Sequence, residues 1–251
     1  MEKIDFESLK ALFDRDGYVF IPGFLTAQEV GELNEKLVGF IGQTVPSMPS
    51  GEVFYEDKSD ASTLKQLINL NCYDPYFEKV LKGSRFEELA TGLLGEMVIP
   101  KTLEYFNKPP KIGKPTPPHQ DAYYFNMNPP QAATMWLALE EVDEENGCVR
   151  YVRGSHQLGM RPHCRTTVAG FSQGISDFGT ELDRRNERPY PAKAGDLLVH
   201  HAMTIHRAEG NANPTRSRRA MGLIYFGESA QEDVAARDAY QRQLQRETVK
   251  V

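Results

Sequence analysis

Two imidazoles and one carboxylate stand where they could share a metal ion: His119 and Asp121 flank Gln120, and His206 follows far downstream. A set of two histidines and one carboxylate occupies one face of an octahedral ion and leaves the other face open, which suits Fe(II) and dioxygen. In an extended strand residues i and i+2 point the same way. The spacing therefore predicts a strand that aims His119 and Asp121 at one point while Gln120 faces elsewhere. His206 must arrive from another strand, which calls for a folded β-barrel. The H-x-D pattern alone is short, and its plain alternative is a surface turn with a hydrogen-bonded histidine.

The elements needed to position these residues are visible along the chain. From Lys101 onward, β-type runs recur at Leu103 to Phe106, Ala133 to Leu139, Val149 to Val152, Asp196 to His200 and Ala220 to Phe226. Turn clusters at Asn128-Pro-Pro, Glu145-Asn-Gly and Gly195-Asp separate them. The Pro-rich stretch 108–118 reads as a loop feeding the His119 strand, with an interdomain linker as the alternative. Earlier in the chain, Phe6, Leu9, Leu12 and Phe13 share one side of a helix, and Gly17 to Leu25 reads as a strand running into a turn. Thr26 and Glu29 form a capping-box pattern that opens a helix through about residue 40. Residues 43–62 read as a mobile loop or lid, and Leu64 to Leu94 carries two or three helical patterns. The expected fold is mainly β with flanking helices: a double-stranded β-helix (jelly roll, cupin-like) backed by N-terminal helices. One domain is expected over 1–251, with a helical part at about 1–100, a jelly-roll core at about 101–228 and a C-terminal helix at about 229–248.

A chain of 251 residues that is 40% hydrophobic can bury a large core. Its net charge of -6 comes from scattered acids and bases with no basic stripe, so no nucleic-acid partner is expected. Apolar runs are short and broken by charge. They predict neither a membrane span nor a signal peptide, and a reducing cytoplasm is the default. Cys72, Cys148 and Cys164 make no C-x-x-C pair and argue against a disulfide framework; each reads as a small buried apolar filler. Nothing in the sequence sets the oligomeric state.

Several motifs occur in a fixed order: F-x-x-x-G-Y-V-x-I-P-G-F-L from Phe13, Asn107-Lys-Pro-Pro, His119-Gln-Asp, Trp136 in its strand, Glu145-Asn-Gly-Cys, Arg153-Gly-Ser-His, and the run from Gly195 that leads to His206. The ordered series resembles the phytanoyl-CoA dioxygenase family of Fe(II)- and 2-oxoglutarate-dependent oxygenases. The resemblance implies His119, Asp121 and His206 as iron ligands, 2-oxoglutarate and O2 as cosubstrates, and Arg218 as partner of the distal 2-oxoglutarate carboxylate. Strand alternation supports Arg218, which shares a face with Ala220 and Gly222, whereas Arg219 shares one with Met221, Leu223 and Tyr225. A small-residue face leaves room for a dicarboxylate that a guanidinium can clasp with both nitrogens. Arg216 and Arg219 stand as alternatives, because the Asn211-Ala-Asn-Pro loop must hold one extra residue for Arg218 to match. Thr134 and Trp136, at i and i+2, are candidates for the cosubstrate pocket. Gln120, Tyr105 and Asn107 are candidates of the same kind, and for Trp136 the alternative is a core aromatic. Lys65 resembles a family residue that helps hold the cosubstrate, with a solvated lysine as the alternative.

His156, His200 and His201 are read as strand-end structure or as hydrogen-bond partners behind the ligands, and His163 is given no role. An intact Asp121 implies, by resemblance, hydroxylation rather than halogenation. Lys108, Lys111 and Lys114 are the one basic group available to a CoA moiety, whereas bacterial relatives act on small polar metabolites. The 43–62 loop and the 160–190 segment, with Arg161, Arg165, Arg184 and Arg185, are the expected substrate walls. Two other classes stay open: a Zn- or Ni-dependent cupin-like isomerase or hydrolase, and a non-catalytic jelly-roll binding module. A dicarboxylate clasp at Arg218 separates the first from an oxygenase, and an intact triad argues against the second.

Overall fold

The computed structural model describes residues 5–168, 170–235, 237, 238 and 242. Its helices are α1 (Phe6–Asp16), α2 (Ala27–Gln43), α3 (Pro75–Leu81), α4 (Arg85–Leu94), α5 (Ala122–Phe125) and α6 (Glu181–Asn186). The first eight strands are β1 (Tyr18–Ile21), β2 (Val53–Tyr55), β3 (Leu64–Leu67), β4 (Val98–Lys108), β5 (Thr116–His119), β6 (Met127–Asn128), β7 (Ala132–Ala138) and β8 (Val149–Val152). The remainder are β9 (His163–Val168), β10 (Phe171–Ile175), β11 (Glu187–Tyr190), β12 (Leu197–His201), β13 (His206–Ala208), β14 (Arg218–Gly227) and β15 (Gln231–Glu232).

A seven-stranded sheet in the order β1-β12-β7-β14-β4-β3-β2 faces a four-stranded sheet in the order β11-β8-β13-β5. This is the expected double-stranded β-helix with helices behind the larger sheet. Period-two alternation divides the work on β14. Met221, Leu223 and Tyr225 pack outward with Leu103, Met135 and Leu137 against Leu37, Phe77, Leu81 and Leu89 of the helical layer. Burying each such leucine stabilises the fold by about 1.5–3 kcal/mol. Inward-facing Ala220 joins Trp136, Leu198, Val149 and Tyr151 between the sheets. The helix entries follow their sequence signals. Thr26 caps α2 with both halves of the capping box formed, and Gly17 ends α1 in a left-handed turn at φ 85°.

Several expectations need correction. Leu12, placed on the buried side of α1, is 38% exposed, and Phe13 carries the contact. The 43–62 segment is not a bare loop: Val45 and Met48 are buried, and β2 pairs with β3. Leu64–Leu67 is a strand, because hydrogen bonding to β4 outweighs its helical spacing. The helical N-terminal part therefore donates β1, β2 and β3 to the large sheet. Cys148 is buried as expected, but Cys72 and Cys164 are exposed. Half of the C-terminal helix expected at about 229–248 lies outside the described residues; β15 occupies part of its start, and residues 234, 235, 237, 238 and 242 are helical. Among the described residues, no helix is long and apolar enough to cross a membrane.

Candidate metal centre and its cavity

His119 ends β5, and His206 opens β13 directly opposite it in the antiparallel register. That pairing is the physical reason the two imidazoles meet, with ring centres 4.1 Å apart. Each ring donates its Nδ1 hydrogen to a carbonyl two residues back, His119 to Pro117 at 2.7 Å and His206 to Thr204 at 3.0 Å. These bonds fix the tautomer and turn both Nε2 lone pairs toward Asp121, whose Oδ1 lies 3.4 Å from His119 Nε2 and 3.6 Å from His206 Nε2. All three donor atoms lie within 4.8 Å of one another, close enough to hold one metal ion.

Asp121 does not sit on the strand. β5 stops at His119, and Asp121 has helical angles, φ -58° and ψ -35°, at the start of α5. A turn at Gln120 brings the carboxylate round to the imidazole, in place of the alternation read from the spacing. Gln120 is fully buried and pins that turn. Its amide donates to the Gly159 and Met203 carbonyls and accepts from the Arg161 backbone N–H. It does not line the cavity, so the expectation that it helps hold a cosubstrate fails on burial.

Behind the metal-facing oxygen, Asp121 Oδ2 accepts hydrogen bonds from the Thr134 hydroxyl at 2.6 Å and from His200 Nε2 at 3.0 Å. Tyr151, fully buried, donates to His200 Nδ1 at 3.0 Å and so sets which nitrogen of His200 carries the proton. Burial pushes the Asp121 carboxyl up, but the facing His206, His119 and His200 imidazoles hold it well below the usual range. Burial together with the charges of His119 and His200 drives the His206 imidazole far down. Both directions favour an anionic carboxylate beside a neutral imidazole, the protonation a metal ion needs.

The three side chains open into a cavity of about 260 Å³. Arg218, Thr134, Trp136 and Asn107 line it as expected, and so does Lys65, which is 5% exposed and paired with Glu56 at 3.4 Å rather than solvated. Tyr105 does not reach the cavity, because alternation on β4 sends it into the helical layer. Of the three candidate arginines, Arg216 pairs with Asp143 and Glu145, and Arg219 pairs with Glu140, both toward solvent. Arg218 is 4% exposed, and its guanidinium carbon lies 5.5 Å from the Trp136 ring centre. Its Nε has no hydrogen-bond partner, and among the described residues it makes no ion pair. Burial lowers its pKa to about 10. A buried guanidinium without a counter-anion is costly to keep, so the pocket suits an anionic guest.

Lys108, grouped from the sequence with Lys111 and Lys114, is buried in this wall and donates to the Lys114 carbonyl and the Thr116 hydroxyl, while the other two are exposed. The three make no shared basic cluster. Nor do the expected substrate walls line the cavity. Arg161 is held by Asp177 and Asp183, and among the described residues of the 160–190 segment only Gly170 lines the space. The walls come instead from strand interiors and from Tyr124 and Phe125 of α5. Sequence reasoning missed Glu104, Gln66 and Tyr151. Glu104 had a readable signal, since it shares the inward face of β4 with Phe106 and Lys108.

The fold and this site define a double-stranded β-helix protein with a two-histidine, one-carboxylate centre. A model of the family described as phytanoyl-CoA dioxygenase (PhyH) matches residues 13–220, and the chain belongs to that family. It is 34% identical over 249 residues to phytanoyl-CoA dioxygenase domain-containing protein 1 of Bos taurus, covering 83% of this chain and 85% of the relative. It is 28% identical over 242 residues to phytanoyl-CoA dioxygenase 1 of Oryza sativa subsp. japonica, covering 84% and 85%. Among solved structures it resembles the epimerase SnoN in complex with Fe3+, alpha ketoglutarate and nogalamycin RO. That match has TM-score 0.73 and 26% identity, over 90% of this chain and 85% of the other.

Proposed function

We propose that the chain is an Fe(II)- and 2-oxoglutarate-dependent dioxygenase that hydroxylates a C–H bond of a small-molecule substrate, with release of succinate and CO2. The observation that carries this reading is the meeting, in one cavity, of two imidazoles and a carboxylate with a buried Arg218 that no carboxylate among the described residues neutralises. The donor set fits Fe(II), and the lone guanidinium fits the far carboxylate of 2-oxoglutarate. Iron with 2-oxoglutarate and dioxygen supplies the oxidising chemistry, in which the cosubstrate is decarboxylated and oxygen is delivered to the substrate.

The chain's own residues do the rest. His119, Asp121 and His206 would hold the iron. Thr134 and His200 keep Asp121 from rotating, and Tyr151 keeps His200 in the tautomer that donates. Arg218, over the Trp136 ring, would orient the cosubstrate, and Phe106, Phe125, Val149 and Ile224 exclude water from the reacting atoms. The reading takes residues 1–251 as one catalytic domain of the cytoplasm acting on a small molecule, without nucleic-acid or membrane partners. A Zn- or Ni-dependent hydrolase or isomerase has no use for Arg218, and a non-catalytic module has no use for the triad.

Reconstitution with Fe(II) and 2-oxoglutarate without oxygen tests this directly. Wild type should give the weak visible charge-transfer band of that complex, and Asp121→Ala should weaken or abolish it. Absence of a band in wild type would overturn the reading. A metabolite panel scored by substrate-stimulated succinate, with product analysis, then separates hydroxylation from desaturation or epimerisation.

A further inference from the structure

We infer that Glu104 and Gln66 form the substrate-recognition point of this cavity and that the substrate is a small molecule carrying a protonated amine. What happens to that molecule rests on the oxygenase reading above; what binds rests on the cavity alone.

Glu104 faces inward from β4 and lines the cavity, where backbone pairing sets it beside Gly222. Gly222 pairs on its other side with Trp136, and the Phe106 ring lies over the side-chain-free position between them. The Glu104 carboxylate accepts one hydrogen bond, from Gln66 Nε2 at 3.1 Å. Among the described residues no lysine or arginine lies within ion-pair distance of it, although four cations, Lys65, Lys108, Arg207 and Arg218, line the same cavity. The Gln66 Oε1 atom is buried without a hydrogen-bond partner. Glu104 therefore lines the cavity with one donor and no counter-charge, beside a Gln66 carbonyl that has no donor.

A carboxylate buried for structure is treated differently in this fold. Asp196, for example, accepts backbone N–H groups from Gly23 and Lys193, both at 2.7 Å. Glu104 has no such support, and burial together with the Asp121 charge pushes its carboxyl up to about 7. An ammonium group supplies what is missing, with positive charge for the carboxylate and further N–H donors for Gln66 Oε1. A neutral hydroxyl supplies one donor and no charge, and a carboxylate is repelled. The surrounding Phe106, Phe125 and Ile224 side chains suit the hydrocarbon part of such a molecule. The two poles also sort the ligands, since Arg218 attracts the dicarboxylate and Glu104 rejects it.

Calorimetry with Mn(II) and 2-oxoglutarate bound tests the inference without turnover. The probes are n-butylammonium, n-butanol and butyrate. Wild type should take the ammonium in preference to both others. Glu104→Gln should lower ammonium affinity roughly tenfold or more without lowering 2-oxoglutarate affinity. Glu104→Asp keeps the charge and should retain the ammonium preference, and Gln66→Met should weaken ammonium binding several-fold. Failure of wild type to bind the ammonium, preference for butyrate, or equal ammonium binding by wild type and Glu104→Gln would overturn the inference. If 2-oxoglutarate does not bind wild type while n-butylammonium does, the oxygenase reading falls and the amine site stands.

Discussion

At the scale of single residues, the centre depends on groups that never touch the metal. Thr134 was read from its spacing as a pocket residue, but its hydroxyl is committed to Asp121 Oδ2. Thr134→Val keeps the shape and removes that donor, so divalent-metal affinity should fall about 10–100-fold. A metal titration with unchanged affinity would make Thr134 a bystander. Arg218→Ala should raise the 2-oxoglutarate requirement far more than Arg219→Ala, because Arg219 is already neutralised by Glu140. Equal effects in a 2-oxoglutarate titration would mean the wrong arginine has been assigned. Residue types and spacing pointed to His119, Asp121 and His206, and the family resemblance, supported by strand alternation, pointed to Arg218. They did not reveal Glu104 or Tyr151, because a lone inward carboxyl or tyrosine looks in sequence like any other strand residue.

Among elements, period two located the long strands well, since β4, β7, β12 and β14 each overlap a run visible as alternating or apolar sequence. It misjudged β3, where pairing with a distant strand decides the conformation. It also extended β5 through Asp121, because no local signal marks the point where buried side-chain hydrogen bonds end a strand. Gln120 is that signal only once its partners are known. Gln120→Ala leaves two carbonyls and one N–H without their partner and should cost about 3 kcal/mol of stability. Urea unfolding measures that cost, and a loss under about 0.5 kcal/mol would mean the turn holds itself.

For the molecule as a whole, stability should depend on pH through His201. Burial, aided by the charges of His156 and His200, lowers its imidazole to about 4. The unfolded chain takes up a proton near 6.5, so this contribution is complete above about pH 6.5 and is lost as pH falls toward 4. Its full size is roughly 3 kcal/mol. His201→Gln should flatten the decline in unfolding free energy between those values, and an unaltered slope would remove His201 as its source. The layered architecture was legible because alternation and helical spacing occupy different halves of the chain, whereas strand order depends on distant pairings that no window of sequence contains. One consequence of that order concerns synthesis. β4 and β7 are not neighbours until β14 enters between them. The ribosome delivers Arg218–Gly227 after the other six strands of that sheet, so until then a nascent chain carries an unfilled slot at the middle of its larger sheet. Closure of the barrel therefore waits for the synthesis of β14.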